Sequence, residues 1–92
     1  MTQPGPVAAG MEAKLRTAFA PTHLEVIDES EKHRGHAGYR EGGQTHFQVV
    51  IRAAAFNGQS RVARSRMIHK VLAEDLAEQV HALALKVEGT ED

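Results

Sequence analysis

The stretch that most constrains this fold is the helical segment after Ser60, because of what flanks it. Phe47, Val49 and Ile51 alternate with Gln48 and Val50, the period-two pattern of a half-buried strand, and the apolar run Ala82 to Val87 follows the helix as another strand. Between them Met67, Ile68, Val71, Leu72 and Leu76 form a single apolar stripe at helical spacing, with Ser60 as N-cap. A helix joining two strands of one sheet demands a crossover, which returns the chain parallel to its starting direction. The last strand is therefore predicted to lie parallel to a neighbour.

Earlier in the chain Leu24 and Val26 alternate with Glu25 and Ile27, so strands are predicted at 23–29 and 45–52. Met11, Leu15, Ala18 and Phe19 recur at helical spacing until Pro21 ends the pattern. The order is α-β-β-α-β, an α+β domain with a three-stranded mixed sheet and helices packed on one face. Its expected bounds are residues 11–88. Pro4, Gly5, Pro6 and Gly10 mark residues 1–10 as a disordered leader, and 89–92 as a flexible tail. The connection SEKHRGHAGYREGGQ is long for a hairpin, a length usually reserved for functional or mobile loops.

Ninety-two residues make one domain, and with 41% hydrophobic residues and no tryptophan the core is built from Leu, Ile, Val, Met and Ala. There is no cysteine, which excludes disulfides and every thiolate ligand. Iron-sulfur centres are held mainly by cysteine, with a histidine pair replacing it on one iron in some classes, so this chain alone cannot hold one. The opening MTQPGPVAAG has no basic n-region, and no segment reaches membrane-span length, which predicts a cytoplasmic protein without a membrane partner. A net charge of −1 gives no global attraction to nucleic acid. A local patch remains, formed by Arg61, Arg64, Arg66 and Lys70. Arg66 and Lys70 share the outer face of the helix, whereas Arg64 falls toward the apolar sector, where pairing with an acidic residue is the plainer reading. A cationic first turn opposes the helix dipole by a few tenths of a kcal/mol per charge, on the order of what a bound anion would offset.

The six histidines are His23, His33, His36, His46, His69 and His81. His33 and His36 have an HxxH spacing on a glycine-rich loop, a weak metal signal. His81 opens a strand whose same-face neighbours are Leu83 and Leu85, which puts it at the rim of the core. His46 reads as a structural histidine bonded to loop backbone. No nucleophile elbow, cysteine nucleophile or phosphate-cradling glycine loop is present, so no enzyme is expected.

The pieces MEAKLRTAF, LEVIDES, GGQTHFQVV, FNGQSRVARSRMIHKVLAEDL and VHALAL, in this order over residues 11–87, resemble the BolA family, in its bacterial type with a loop histidine. The resemblance implies a class II KH-like fold and partnership with a monothiol glutaredoxin across a bridging [2Fe-2S] cluster. The glutaredoxin side would supply a cysteine and bound glutathione, and this chain His81 from HAL with a loop histidine. His36, in the glycine-flanked GHAG, is preferred and His33 is the alternative. The resemblance also implies transcriptional regulation through DNA contact, for which Arg61, Arg64, Arg66 and Lys70 are the candidate residues. The GXXG clamp of typical KH domains is replaced by Gly58-Gln-Ser-Arg61. Self-association into a homodimer is a further expectation, and both surfaces are expected at the same end of the fold.

Overall fold

A computed structural model of the chain describes residues 6–29, 46–78, 80 and 82–92. Helix α1 (Pro6–Phe19) leads into β1 (His23–Asp28), and β2 (His46–Arg52) is followed by a short 3-10 turn at Ala54–Phe56. Helices α2 (Arg61–Val71) and α3 (Ala73–Glu78) then return the chain to β3 (Ala82–Glu88). The sheet order is β1-β2-β3, with β1 antiparallel and β3 parallel to the central β2. The helical crossover thus sets the direction of the last strand, parallel as expected.

Register explains the core. Leu24 pairs with Ile51 and Val26 with Val49, while Phe47, Val49 and Ile51 stand beside Leu83, Leu85 and Val87. Because side chains alternate along a strand, all of these share one face. Met11 and Leu15 of α1, Ile68 of α2 and Leu72 join that apolar layer and are fully buried. Each such burial contributes about 1.5–3 kcal/mol. Phe19 at the end of α1 packs against Phe56 with ring centroids 4.9 Å apart and the rings tilted by 47°.

Three boundaries differ from expectation. Helix α1 begins at Pro6, inside the segment expected to be a disordered leader. Proline suits the first helical turn, where its missing N–H has no partner to lose, and Ala8, like Met11, is buried against the core. The single long helix expected after Ser60 is two helices, bent at Leu72, whose φ of −100° and ψ of 17° leave the helical region. The apolar stripe survives the bend because the Leu72 N–H still donates to Ile68 O and the Leu76 N–H to Leu72 O, both at 3.0 Å. Lys14 of α1 bonds Asp75 of α3 at 2.8 Å, which ties the second piece to α1.

The third difference is at residues 89–92, expected to be flexible. Asn57 Nδ2 donates to Thr90 Oγ1 at 2.9 Å, and the Glu91 N–H donates to Asn57 Oδ1 at 3.1 Å. Gly89 is buried, and a Cβ there would collide with the Asn57 amide oxygen. Partners far away in sequence hold this segment, and no local pattern announces them.

Candidate functional site

The parallel pairing of β2 and β3 gives the sheet two chemically different ends. At one end His46 stands beside Ala82, and the Glu29 N–H donates to His46 O at 2.7 Å. The chain therefore leaves β1, enters β2 and enters β3 at neighbouring points, with adjacent strands about 4.8 Å apart. Residues 30–45, which contain His33 and His36, connect the first two points, and His81 immediately precedes the third. His33, His36 and His81 themselves lie outside the described residues. His46 is buried at this end, 8% exposed. Among the described residues no cluster of three or more histidine, cysteine, aspartate or glutamate side chains could hold a metal. With no cysteine in the chain, histidine is the residue it could bring in place of thiolate, and two imidazoles would fit one iron of a mixed-ligand [2Fe-2S] centre if a partner supplied thiolates.

At the opposite end the chemistry is that of arginine. Ser60 Oγ accepts from the Ala63 N–H at 3.1 Å, the N-cap that starts α2. One turn later Arg64 turns inward. Its Nε donates to Gln59 O at 3.0 Å and its Nη1 to Val87 O at 3.3 Å. The outer fork meets the Asp92 carboxylate, Nη1 to Oδ2 at 2.5 Å and Nη2 to Oδ1 at 2.9 Å. Hydrogen bonding from Arg64, then from the Gly89 N–H, lowers the Asp92 pKa to about 2, and the bond to Asp92 raises that of Arg64. The Arg64 side chain keeps 15% of its exposure. Of the basic patch, Arg64 is thus committed internally.

Arg61, Arg66 and Lys70 are exposed and make no ion pair or hydrogen bond among the described residues. Val62 stands among them 57% exposed, an apolar side chain facing water. Val62, Arg66 and His69 follow the i, i+4, i+7 spacing of one exposed helical stripe, turned away from the buried Ile68. Sequence reasoning took the charges from this face and missed Val62, although its failure to fit the buried stripe was a usable signal. It also missed Asn57 and Asp92, which have no periodic signature.

The expectation that both candidate surfaces lie at one end of the fold is corrected for Arg64 by these contacts. Arg64 touches Val87, near the finish of β3, whereas His81 adjoins the start of that strand. Seven extended residues put these points about 20 Å apart. The cause is the crossover itself, since α2 begins where β2 finishes and the chain must return to where β3 starts.

The family model described as BolA-like protein matches residues 15–92. The chain is 48% identical to the DNA-binding transcriptional regulator BolA of Escherichia coli (strain K12) over 75 residues, which cover 82% of this chain and 68% of that protein. It is 43% identical to BolA-like protein 1 of Mus musculus over 82 residues, covering 89% of this chain and 57% of that relative. The chain thus spans little more than half of the mouse protein. Among solved structures, the BolA domain of SufE1 from Arabidopsis thaliana matches with a TM-score of 0.87 at 34% identity, covering 97% of this chain and 98% of that one. These are the names of a regulator and of BolA-like proteins, not of enzymes.

Proposed function

The chain belongs to the BolA-like protein family, and on that premise we propose that it is a non-enzymatic partner of a monothiol glutaredoxin that co-ligates a bridging [2Fe-2S] cluster. His81 supplies one imidazole and His36 the other, with His33 as the alternative, while the glutaredoxin brings a cysteine and glutathione. The observation that supports this reading is the convergence at one sheet end of Glu29, His46 and Ala82, the residues to which the histidine-bearing segments are joined. Ligation requires neutral imidazole, its second ring nitrogen fixed by a hydrogen bond. Two histidines on one iron raise the cluster potential relative to all-thiolate ligation and make it sensitive to pH. The role is cytoplasmic cluster trafficking or iron- and redox-linked regulation. An anaerobic visible circular-dichroism titration of cluster-loaded monothiol glutaredoxin tests it. A new spectrum saturating at one to one, and lost with His81→Ala, is the expected outcome. An unchanged spectrum removes the proposal.

A second reading is supported by the unpaired Arg61, Arg66 and Lys70 on α2, together with the Escherichia coli relative named as a DNA-binding transcriptional regulator. Here the protein contacts DNA phosphates through that helix. Affinity then falls with salt, with a log-log slope of about −0.9 per phosphate contacted. Arg66→Glu with Lys70→Glu is expected to abolish DNA binding and to leave the glutaredoxin spectrum intact, because neither residue is among the cluster ligands proposed above. Binding that survives the reversal removes this reading.

A further inference from the structure

Between the start of α2 and the outer edge of β3 lies a cavity of about 850 Å³, lined by Gln59, Arg61, Arg64, Ser65, Lys86 and Asp92 among others. Its charges are unequal in their freedom. Glu88, also on its wall, pairs with Arg52 at 3.5 Å, and Asp92 pairs with Arg64. Arg61 and Lys86 have no ion pair among the described residues. Two of the three cations on the wall therefore have no ion-pair partner among the described residues, and the wall's charges sum to +1, in a chain whose net charge is −1.

The guanidinium of Arg64 is held by two backbone carbonyls, Gln59 O and Val87 O, independently of Asp92. Those bonds occupy Nε and one direction of Nη1, leaving the Nη1/Nη2 fork aimed outward. A fixed fork of this kind binds carboxylate and phosphate by the same bidentate geometry. A carboxylate is what the structure puts there, and the Gly89 N–H donates to the same Asp92 oxygen at 3.0 Å. Asp92 is more open than its partner, with side-chain exposures of 36% against 15%. The arginine is set in the wall, and the carboxylate sits at the mouth.

We propose that this cavity is a phosphate-binding site whose central position is held by the chain's own Asp92, a built-in competitor that an incoming phosphate group displaces from Arg64. Arg61 and Lys86 then flank the incoming anion, Ser65 adds a hydroxyl donor, and the Gly89 N–H is released to it. Preorganisation of Arg64 by backbone carbonyls limits the ordering cost of binding. The phosphate belongs either to a nucleic-acid backbone, in which case the site extends the DNA-contact reading above, or to a free small anion.

The test is titration of the full chain and of Asp92→Asn, followed by amide and arginine Nε chemical shifts at constant ionic strength. Inorganic phosphate is the probe in one arm and a short oligonucleotide in the other. Removal of the competing charge is expected to tighten binding about fivefold, the factor that an exposed ion pair is worth. Shifts should centre on Arg64, Ser65 and Gly89. Tightening with the oligonucleotide alone assigns the site to nucleic acid, and tightening with phosphate assigns it to a free anion. Lys86→Gln, on the exposed side of β3, is expected to weaken binding in the otherwise unchanged chain, and it serves if Asp92→Asn fails to fold. Equal affinity of parent, Asp92→Asn and Lys86→Gln for both probes overturns the proposal. Oligonucleotide binding that needs Arg66 and Lys70 but ignores Asp92 and Lys86 overturns this proposal alone and leaves the DNA reading standing.

Discussion

Where β2 and β3 begin, the sheet is bounded by a buried histidine and adjoins segments that carry further histidines, whereas where those strands finish it is bounded by paired charges beside Arg61 and Lys86, which are unpaired among the described residues. At the finishing end Arg52 meets Glu88, Arg64 meets Asp92, and Asn57 holds both Thr90 and Glu91. At the beginning end the proposed chemistry is incomplete until a partner supplies thiolate. The difference teaches what a parallel crossover does in so small a domain. It separates by a strand length two surfaces that a hairpin would have brought together, so that each can carry its own chemistry, imidazole at one end and guanidinium at the other.

The largest effect comes from the core that both ends share. Phe47 adjoins the histidine end in sequence, yet its ring is buried in the common apolar layer. Phe47→Ala is expected to cost about 3–5 kcal/mol of folding stability, measured by urea denaturation, and to weaken both ends together. A loss confined to one end would mean that the layer is not common to both. Gly89→Ala separates them. The new Cβ meets Asn57 from two directions, its amide oxygen and its Cα at 3.2 Å, so the arginine end must shift at a cost of about 1–3 kcal/mol. The glutaredoxin-dependent spectrum is expected to survive that change, and its loss would break the comparison.

Acid sharpens it further. The Asp92 pKa is lowered from 3.8 to about 2, so the pair with Arg64 contributes its full stability above pH 3.8 and loses it as pH falls through about 2. Asp92→Asn is expected to abolish this part of the acid dependence. Melting curves of parent and variant should therefore differ most near neutrality and draw together below pH 2. Histidine ligation at the other end responds in a different window, around the ordinary histidine pKa near 6.5. Two ends that lost their function over one pH range would contradict the separation.

How much of this was legible in the sequence depended on whether the signal was periodic. The alternation at Leu24 and Val26 and at Phe47 to Ile51, and the stripe from Met67 to Leu76, gave the elements, their order and the direction of β3. Ser60 gave the N-cap. The inward position of Arg64 was also readable, because on the helical wheel it falls beside apolar residues. What it would meet there was not, since Asp92 lies 28 residues away and polar pairing leaves no repeat in the sequence. Glycine and proline misled at the start, where Pro6 opens a helix instead of preventing one. The family resemblance named histidines that the residues alone left open, and their chemistry is the part that a partner must complete.

The smallest expected effect tests whether the arginine end is relaxed throughout. Ala20 closes α1 with its N–H on Arg16 O at 3.0 Å and a φ of 46°, a left-handed conformation, and two residues later the Thr22 N–H donates to Arg52 O at 2.8 Å. A non-glycine residue pays about 1–2 kcal/mol for that conformation. Glycine removes the penalty but gives back about 0.5–1 kcal/mol through the greater freedom of its unfolded chain. Ala20→Gly is therefore expected to stabilise the domain by up to about 1.5 kcal/mol in thermal or urea denaturation, with no effect on either binding surface. A loss of stability would mean that the alanine methyl contributes contacts worth more than the strain. The arginine end would then be held by packing at Ala20 as well as by the charges of Arg52, Arg64 and Asp92.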